Sequence, residues 1–196
     1  MEQTLERAQP TAPAQAKRKA ESSSGNSPKE TPPLFLYFAY GSNLSSTQMH
    51  RRCPDSLPVG LGHLPGWKWI INERGYANIV KLSDKGVYGV LYDLHPADER
   101  TLDMCEGVPY AYQKVFVDVS VLEGRGALRN LMGKGEKERT EAKVLAYVDF
   151  ERVWESVPKK EYVSRMNRGI KEAVEEWKLP GWYVNGVMRL FVPAIQ

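Results

Sequence analysis

The chain has 196 residues, 42% of them hydrophobic, with 27 basic and 24 acidic side chains and a net charge of +3. That is the length of one ordinary domain with enough apolar residues for a core. The charge is too balanced for a nucleic-acid or anionic-membrane partner, and no apolar run approaches the ~18–20 residues of a membrane span. Cys53 and Cys105 supply neither a disulfide framework nor a metal-ligand pattern. With no apolar signal region at the N-terminus, the expected location is a reducing cytoplasm.

Residues 1–32 are Pro, Ala, Ser, Lys and Glu with almost no large apolar side chains, the composition of a disordered tail. Lys17-Arg18-Lys19 reads as a solvated charge run rather than a nuclear signal. The domain is expected over 33–196. It opens on an aromatic-rich apolar run, residues 34–40, that suits a strand buried on both faces and runs into Gly41-Ser42-Asn43-Leu44. Gly41 permits a sharp turn or a close approach. Ser45 and Gln48 have capping-box spacing for a helix over 46–52. Strand, small-residue turn and helix start together read either as an ordinary corner or as an anion site made of free N–H groups and a helix dipole.

A short strand is expected over 57–64, a turn at Pro65-Gly66 and a second strand over 67–72. After a turn at Arg74-Gly75-Tyr76, residues 77–82 pair next, Asp84-Lys85-Gly86 reads as a hairpin turn, and 87–94 is a strand. The period then changes. Pro96 with Asp98 and Glu99 opens a helix that Gly107 stops, which places Glu106 at its C-terminus. Leu94, Ala97, Thr101, Leu102 and Cys105 form its predicted buried stripe. Residues 113–122 alternate as a strand, 123–142 read as an exposed, mobile loop with nothing catalytic in it, and 143–150 return to strand. The longest helix is expected over 159–178, burying Tyr162, Met166, Ile170, Ala173, Val174 and Trp177. Residues 182–192 fit a helix and a strand almost equally. The order β-α-βββ(β)-α-ββ-α-α implies an α+β fold with a small mixed, mainly antiparallel, barrel-like sheet and flanking helices.

Chemistry-bearing motifs are few. There is no dinucleotide glycine pattern, P-loop, nucleophile elbow or HExxH. His50, His63 and His95 are scattered and read as surface or capping residues. The five tryptophans read as packing for the core and the helix faces. Cys105 lies near a negative helix end, which opposes a thiolate, so it reads as core. The same field favours Glu106 in another role: a partly desolvated carboxylate there has a raised pKa and can take up and return a proton. Taken alone, Glu106 reads better as an exposed helix-end acid before a glycine cap.

The segment Tyr37-Phe38-Ala39-Tyr40-Gly41-Ser42-Asn43-Leu44, followed by Leu102-Asp103-Met104-Cys105-Glu106-Gly107-Val108, resembles the gamma-glutamylcyclotransferase family. The likeness extends to the strand from Val87 to Tyr92 and the Pro158/Tyr162 helix, and covers about residues 34–192. It implies a small mixed barrel with flanking helices that uses no metal and no cofactor. Residues Tyr37, Phe38, Ala39, Tyr40, Gly41, Ser42 and Asn43 would bind a gamma-glutamyl group, Tyr162 would touch substrate, and Glu106 would be the catalytic acid/base. The implied reaction cyclises a gamma-glutamyl amino acid or peptide to 5-oxoproline. Gamma-glutamyl-amines, glutathione or a glutathione adduct are alternative substrates, and a non-catalytic gamma-glutamyl-binding module is a further alternative. A homodimer is implied by the likeness alone. The 123–142 loop and the charged tail depart from compact members of the family.

Overall fold

The computed structural model describes residues 35–131 and 140–195. The expected tail over 1–32 lies outside the described residues. The elements are β1 (Leu36–Ala39), α1 (Ser46–Arg52), β2 (Leu57–Ile71), β3 (Ala77–Asp93), α2 (Pro96–Glu106), β4 (Gln113–Gly124), α3 (Gly126–Leu131), β5 (Thr140–Val148), α4 (Lys160–Trp177) and α5 (Gly181–Gly186), with 3-10 turns at Ser42–Leu44 and Met188–Leu190. The five strands close a barrel in the order β1-β3-β2-β4-β5. Neighbours are antiparallel except where β5 meets β1, parallel at Tyr37↔Leu145. The expected α+β barrel is therefore present, and it is fully closed.

β1 is short and buried at all four positions, because it pairs on both edges and its faces meet the barrel interior and the helices. Two expected turns are absent. Pro65-Gly66 and Asp84-Lys85-Gly86 lie inside β2 and β3, which form one long hairpin through residues 72–76. Lys81 faces Trp67 and Gly86 faces Pro65, so residues 82–85 stand opposite Gly66 alone. The turn-like composition serves an exposed bulge, where Pro65 has no N–H to pair and a strand bends without reversing.

α2 begins and ends as its sequence dictates. His95 Nδ1 accepts the Ala97 N–H at 3.2 Å, with Pro96 behind it, and Gly107 ends the helix at φ +66°, a region that favours glycine. The helix buries Asp98 and Leu102, whereas Ala97 and Cys105 are exposed. The reading of Cys105 as core is thus overturned: the last turn of α2 faces a pocket instead of the barrel. Asp98 occupies the predicted apolar stripe because its carboxylate accepts from the Asp55 N–H (2.9 Å) and the Ser56 hydroxyl (2.8 Å).

Within the expected 123–142 loop, β4 runs on to Gly124 and α3 packs Leu128, 1% exposed, against β2. Residues 132–139 lie outside the described residues. α4 buries Tyr162, Met166, Ile170, Ala173 and Trp177 as its spacing predicts, but Val174 is exposed at the stripe's edge. Residues 182–192 resolve as helix and 3-10 turn. Trp67, Trp69 and Trp177 are core, while Trp154 and Trp182 are exposed, against the expectation for all five. Among the described residues no helix is long and apolar enough to cross a membrane.

Candidate active site

The corner after β1 is built from side chains more than from a helix dipole. Its 3-10 turn closes with the Leu44 N–H on the Gly41 carbonyl (2.9 Å) and the Ser45 N–H on the Ser42 carbonyl (3.2 Å). Ser45 Oγ accepts the Gln48 N–H at 3.0 Å and caps α1, as the spacing predicts. Gln48 does not return the bond, as a full capping box would. Its amide turns inward instead, donating to Ser42 Oγ (2.9 Å) and Asn43 Oδ1 (2.8 Å). The Ser42 N–H donates to the Tyr162 hydroxyl at 3.1 Å, so the free N–H cluster of a generic anion site is largely used up within the protein.

Asn43 is 3% exposed and joins the corner to Glu106. Its Nδ2 donates to Glu106 Oε1 (2.9 Å) and to the Tyr37 hydroxyl (3.0 Å). Its Oδ1 accepts from Gln48 Nε2 (2.8 Å) and Arg52 Nη1 (3.0 Å). An amide alone among side chains can donate twice and accept twice here, and an aspartate would set a second negative charge against Glu106. The Tyr92 hydroxyl fixes the Asn43 carbonyl at 2.9 Å, so the residue is held at both backbone and side chain.

The Glu106 side chain is 17% exposed. Burial raises its pKa above the ordinary carboxylate value, while Arg52 and the Asn43 bond pull it back. Arg52 Nη1 stands 4.0 Å from Oε1, so it acts as a nearby positive field more than as a bond. The result is a carboxylate held in place yet open on one side to a pocket of about 240 Å³. That raised pKa follows from burial, with no need for the helix end invoked from sequence.

Tyr37, Tyr40, Gly41, Ser42, Asn43, Glu106 and Tyr162 all line this pocket. Phe38 and Ala39 do not. Both are 0% exposed and belong to the hydrophobic core, so the resemblance carries too far along β1. The alternation of a strand explains this for Phe38, whose neighbours on either side face differently. Arg52, Arg74, Tyr76, Tyr112, Tyr147 and Arg165 also line the pocket and were not singled out from sequence. Arg165 was within reach: it lies three residues after Tyr162, on the same helix face. Its Nη2 donates to Ser42 Oγ (2.7 Å) and its Nε to Gln48 Oε1 (3.0 Å). Tyr112 precedes β4 and Tyr147 lies on β5, and no sequence spacing brings them together.

Tyr162 ties three elements. Besides the Ser42 N–H, its hydroxyl accepts the Ala77 N–H at 3.4 Å. Burial pushes its pKa up to about 12, so it stays a neutral phenol. Tyr162→Phe removes the acceptor of two buried N–H groups. It should cost about 1–3 kcal/mol in urea unfolding, the penalty for orphaned buried donors. A loss below ~0.5 kcal/mol would mean that water takes over both bonds.

Comparison with known proteins gives a consistent picture. The family described as "Gamma-glutamyl cyclotransferase, AIG2-like" matches residues 37–162. Gamma-glutamylcyclotransferases of Bos taurus and Mus musculus are 31% and 32% identical over 102 residues, covering 46% of this chain and 54% of each relative. The chain thus spans about half the length of the curated relatives it matches. Among solved structures, a gamma-glutamyl cyclotransferase superposes with a TM-score of 0.61 at 24% identity, covering 78% of this chain and 85% of its own. An uncharacterized protein from Homo sapiens gives 0.61 at 23% identity over 78% and 85%. These structural likenesses establish the fold. The family match over residues 37–162, more than half of the chain, establishes that this protein belongs to the gamma-glutamyl cyclotransferase, AIG2-like family.

Proposed function

We propose that this protein is a gamma-glutamylcyclotransferase acting on a gamma-glutamyl amino acid or peptide, with Glu106 as general acid and base. The observation that carries the proposal is the 2.9 Å bond between Glu106 and Asn43, which sets a half-buried carboxylate of the pocket against the 40–43 corner. In the proposed reaction Glu106 takes a proton from the substrate's alpha-ammonium. The freed amine attacks the gamma-carbonyl carbon of the same molecule and closes a five-membered ring. Glu106 then gives its proton to the departing nitrogen as the amide C–N bond breaks, takes the second proton from the ring nitrogen and passes it to the released amine, which leaves as ammonium. Products are 5-oxoproline and a free amino acid or peptide.

Nucleophile and electrophile sit in one molecule, so the protein's tasks are to hold it folded and to relay protons from the attacking to the departing nitrogen. The Gly41 and Asn43 N–H groups have no acceptor among the described residues and adjoin the pocket. They suit the substrate's alpha-carboxylate or the oxyanion that develops on the gamma-carbonyl. Burial raises the Glu106 pKa towards that of the alpha-ammonium, which narrows the gap between the two groups and eases the transfer.

Glu106 starts the cycle ionised, so kcat/KM should fall as pH drops through its folded pKa. Burial raises that pKa, and the acid limb should therefore lie above the ordinary carboxylate value of ~4.3. A pH profile flat down to ~4.3 would contradict Glu106 as the base. The proposal itself is tested by a panel of gamma-glutamyl amino acids, gamma-glutamyl-amines and glutathione, read by 5-oxoproline release with Glu106→Gln as control. Retained ligand binding without turnover on every compound would favour a binding module instead.

A further inference from the structure

The pocket holds three arginines, and two of them are committed to the protein. Arg52 donates to Asn43 and faces Glu106, and Arg165 donates to Ser42 and Gln48. Arg74 differs. It enters from the turn between β2 and β3 and lines the pocket, yet no hydrogen bond or ion pair reaches its guanidinium among the described residues. Its Nη1 is buried without a partner. What holds it is aromatic: its Cζ stands 5.6 Å from the Tyr76 ring centroid and 5.5 Å from that of Tyr112. A guanidinium between two rings is fixed in place by cation–π contact while its N–H edge stays free to donate.

The turn that carries Arg74 is built for rigidity. Asn72 Oδ1 accepts the Arg74 N–H at 3.1 Å, and the Gly75 N–H donates to the Asn72 carbonyl at 2.7 Å. The Lys159 N–H donates to the Gly75 carbonyl at 3.2 Å, which ties the turn to the start of α4. A buried N–H group with no acceptor is costly, and the cost is removed when an anion arrives. So the pocket presents a preorganised cation separate from the corner that engages Arg52 and Arg165.

We propose that Arg74 binds the carboxylate of the departing amino acid or peptide, and so selects gamma-glutamyl substrates with an anionic leaving group over gamma-glutamyl-amines. This rests on the cyclotransferase reading. A gamma-glutamyl amino acid carries two carboxylates, one at each end. The 40–43 corner takes the glutamyl end, and Arg74 on its own turn meets the other. That carboxylate does not change charge during cyclisation. Its contact therefore lowers KM and leaves kcat largely alone.

The test compares gamma-glutamyl-alanine with gamma-glutamyl-ethylamide, which lacks only the leaving-group carboxylate. Wild-type protein should show a kcat/KM ratio well above one in favour of the alanine compound. Arg74→Gln should lower that ratio by about 10–100-fold through KM, the loss expected for a charge-assisted hydrogen bond. Arg74→Lys should recover part of it. Because the guanidinium makes no bond within the protein, neither change orphans a partner, and the variants should fold. Equal losses on both compounds would overturn the proposal and assign Arg74 to the glutamyl end. A wild-type ratio near one would overturn it too. Calorimetric binding of both compounds to Glu106→Gln reads Arg74 without turnover. Absence of 5-oxoproline from wild type thus counts against the cyclotransferase reading, while a missing preference in binding counts against Arg74.

Discussion

Glu106→Gln should lower 5-oxoproline release by at least ~100-fold, the low end of what a positioned acid/base contributes, while the fold persists. Glutamine fits the same volume, and its oxygen can still accept from Asn43 Nδ2, as Glu106 Oε1 does at 2.9 Å. What is lost is the ability to take up a proton. The fold control has a sign of its own. Burial raises the folded-state pKa of Glu106 above its unfolded value, so the folded chain holds that proton more tightly. Its contribution to stability is fully present below the unfolded carboxylate range, ~4.3, and is lost as pH rises through the folded value. The variant carries no such loss. In urea at pH 7 it should be at least as stable as wild type, and the gap should close as pH falls through the carboxylate range. Near-wild-type release of 5-oxoproline would remove Glu106 from the chemistry. A variant that is both inactive and unfolded would leave the answer to the pH profile.

Gly41→Val should weaken binding of a gamma-glutamyl ligand by at least ~10-fold. Gly41 has φ −105°, outside the left-handed region that favours glycine, so the prediction does not rest on backbone strain. Crowding is. A Cβ at this position would stand 2.9 Å from the Tyr162 hydroxyl and 3.3 Å from Ala77 Cβ. Valine adds two methyls to that contact, and overpacking of this kind costs about 1–3 kcal/mol. The hydroxyl it displaces holds the Ser42 and Ala77 N–H groups, so the whole corner shifts. The clash and the hydrogen bonds share one atom. Gly41→Val combined with Tyr162→Phe should therefore cost less than the sum of the two single changes. Calorimetry on a gamma-glutamyl ligand checks the affinity, and urea unfolding checks the coupling. Unchanged affinity would mean that the corner does not contact the ligand.

What was legible in the sequence was local. Pro96, the acids after it and Gly107 delimit α2 because caps and first-turn charges act within a few residues. The Ser45 cap and the buried stripe of α4 were readable for the same reason. Long-range pairing was not readable. The 82–85 bulge looks like a hairpin turn because both need polar, flexible residues, and only the register of β2 against β3 tells them apart. Cys105 follows an apolar helical spacing, yet the last turn of α2 faces the pocket. The site divides in the same way. Glu106 and the 40–43 corner lie 63 residues apart at Asn43, and only family likeness joined them before the fold did. Tyr112, Tyr147 and Arg74 reach the pocket from the segment before β4, from β5 and from a turn, with no shared motif to mark them. Phe38 and Ala39 show the opposite failure: they belong to the motif by sequence but to the core by packing.

The central claim is that the substrate's own amine, and not water, attacks the gamma-carbonyl. It is tested most directly by incubating the full chain with gamma-glutamyl-alanine in water enriched in oxygen-18 and weighing the products. The account predicts 5-oxoproline and alanine in equal amounts, with no heavy oxygen in the new ring. Release of glutamate carrying one oxygen-18 would show hydrolysis and contradict it.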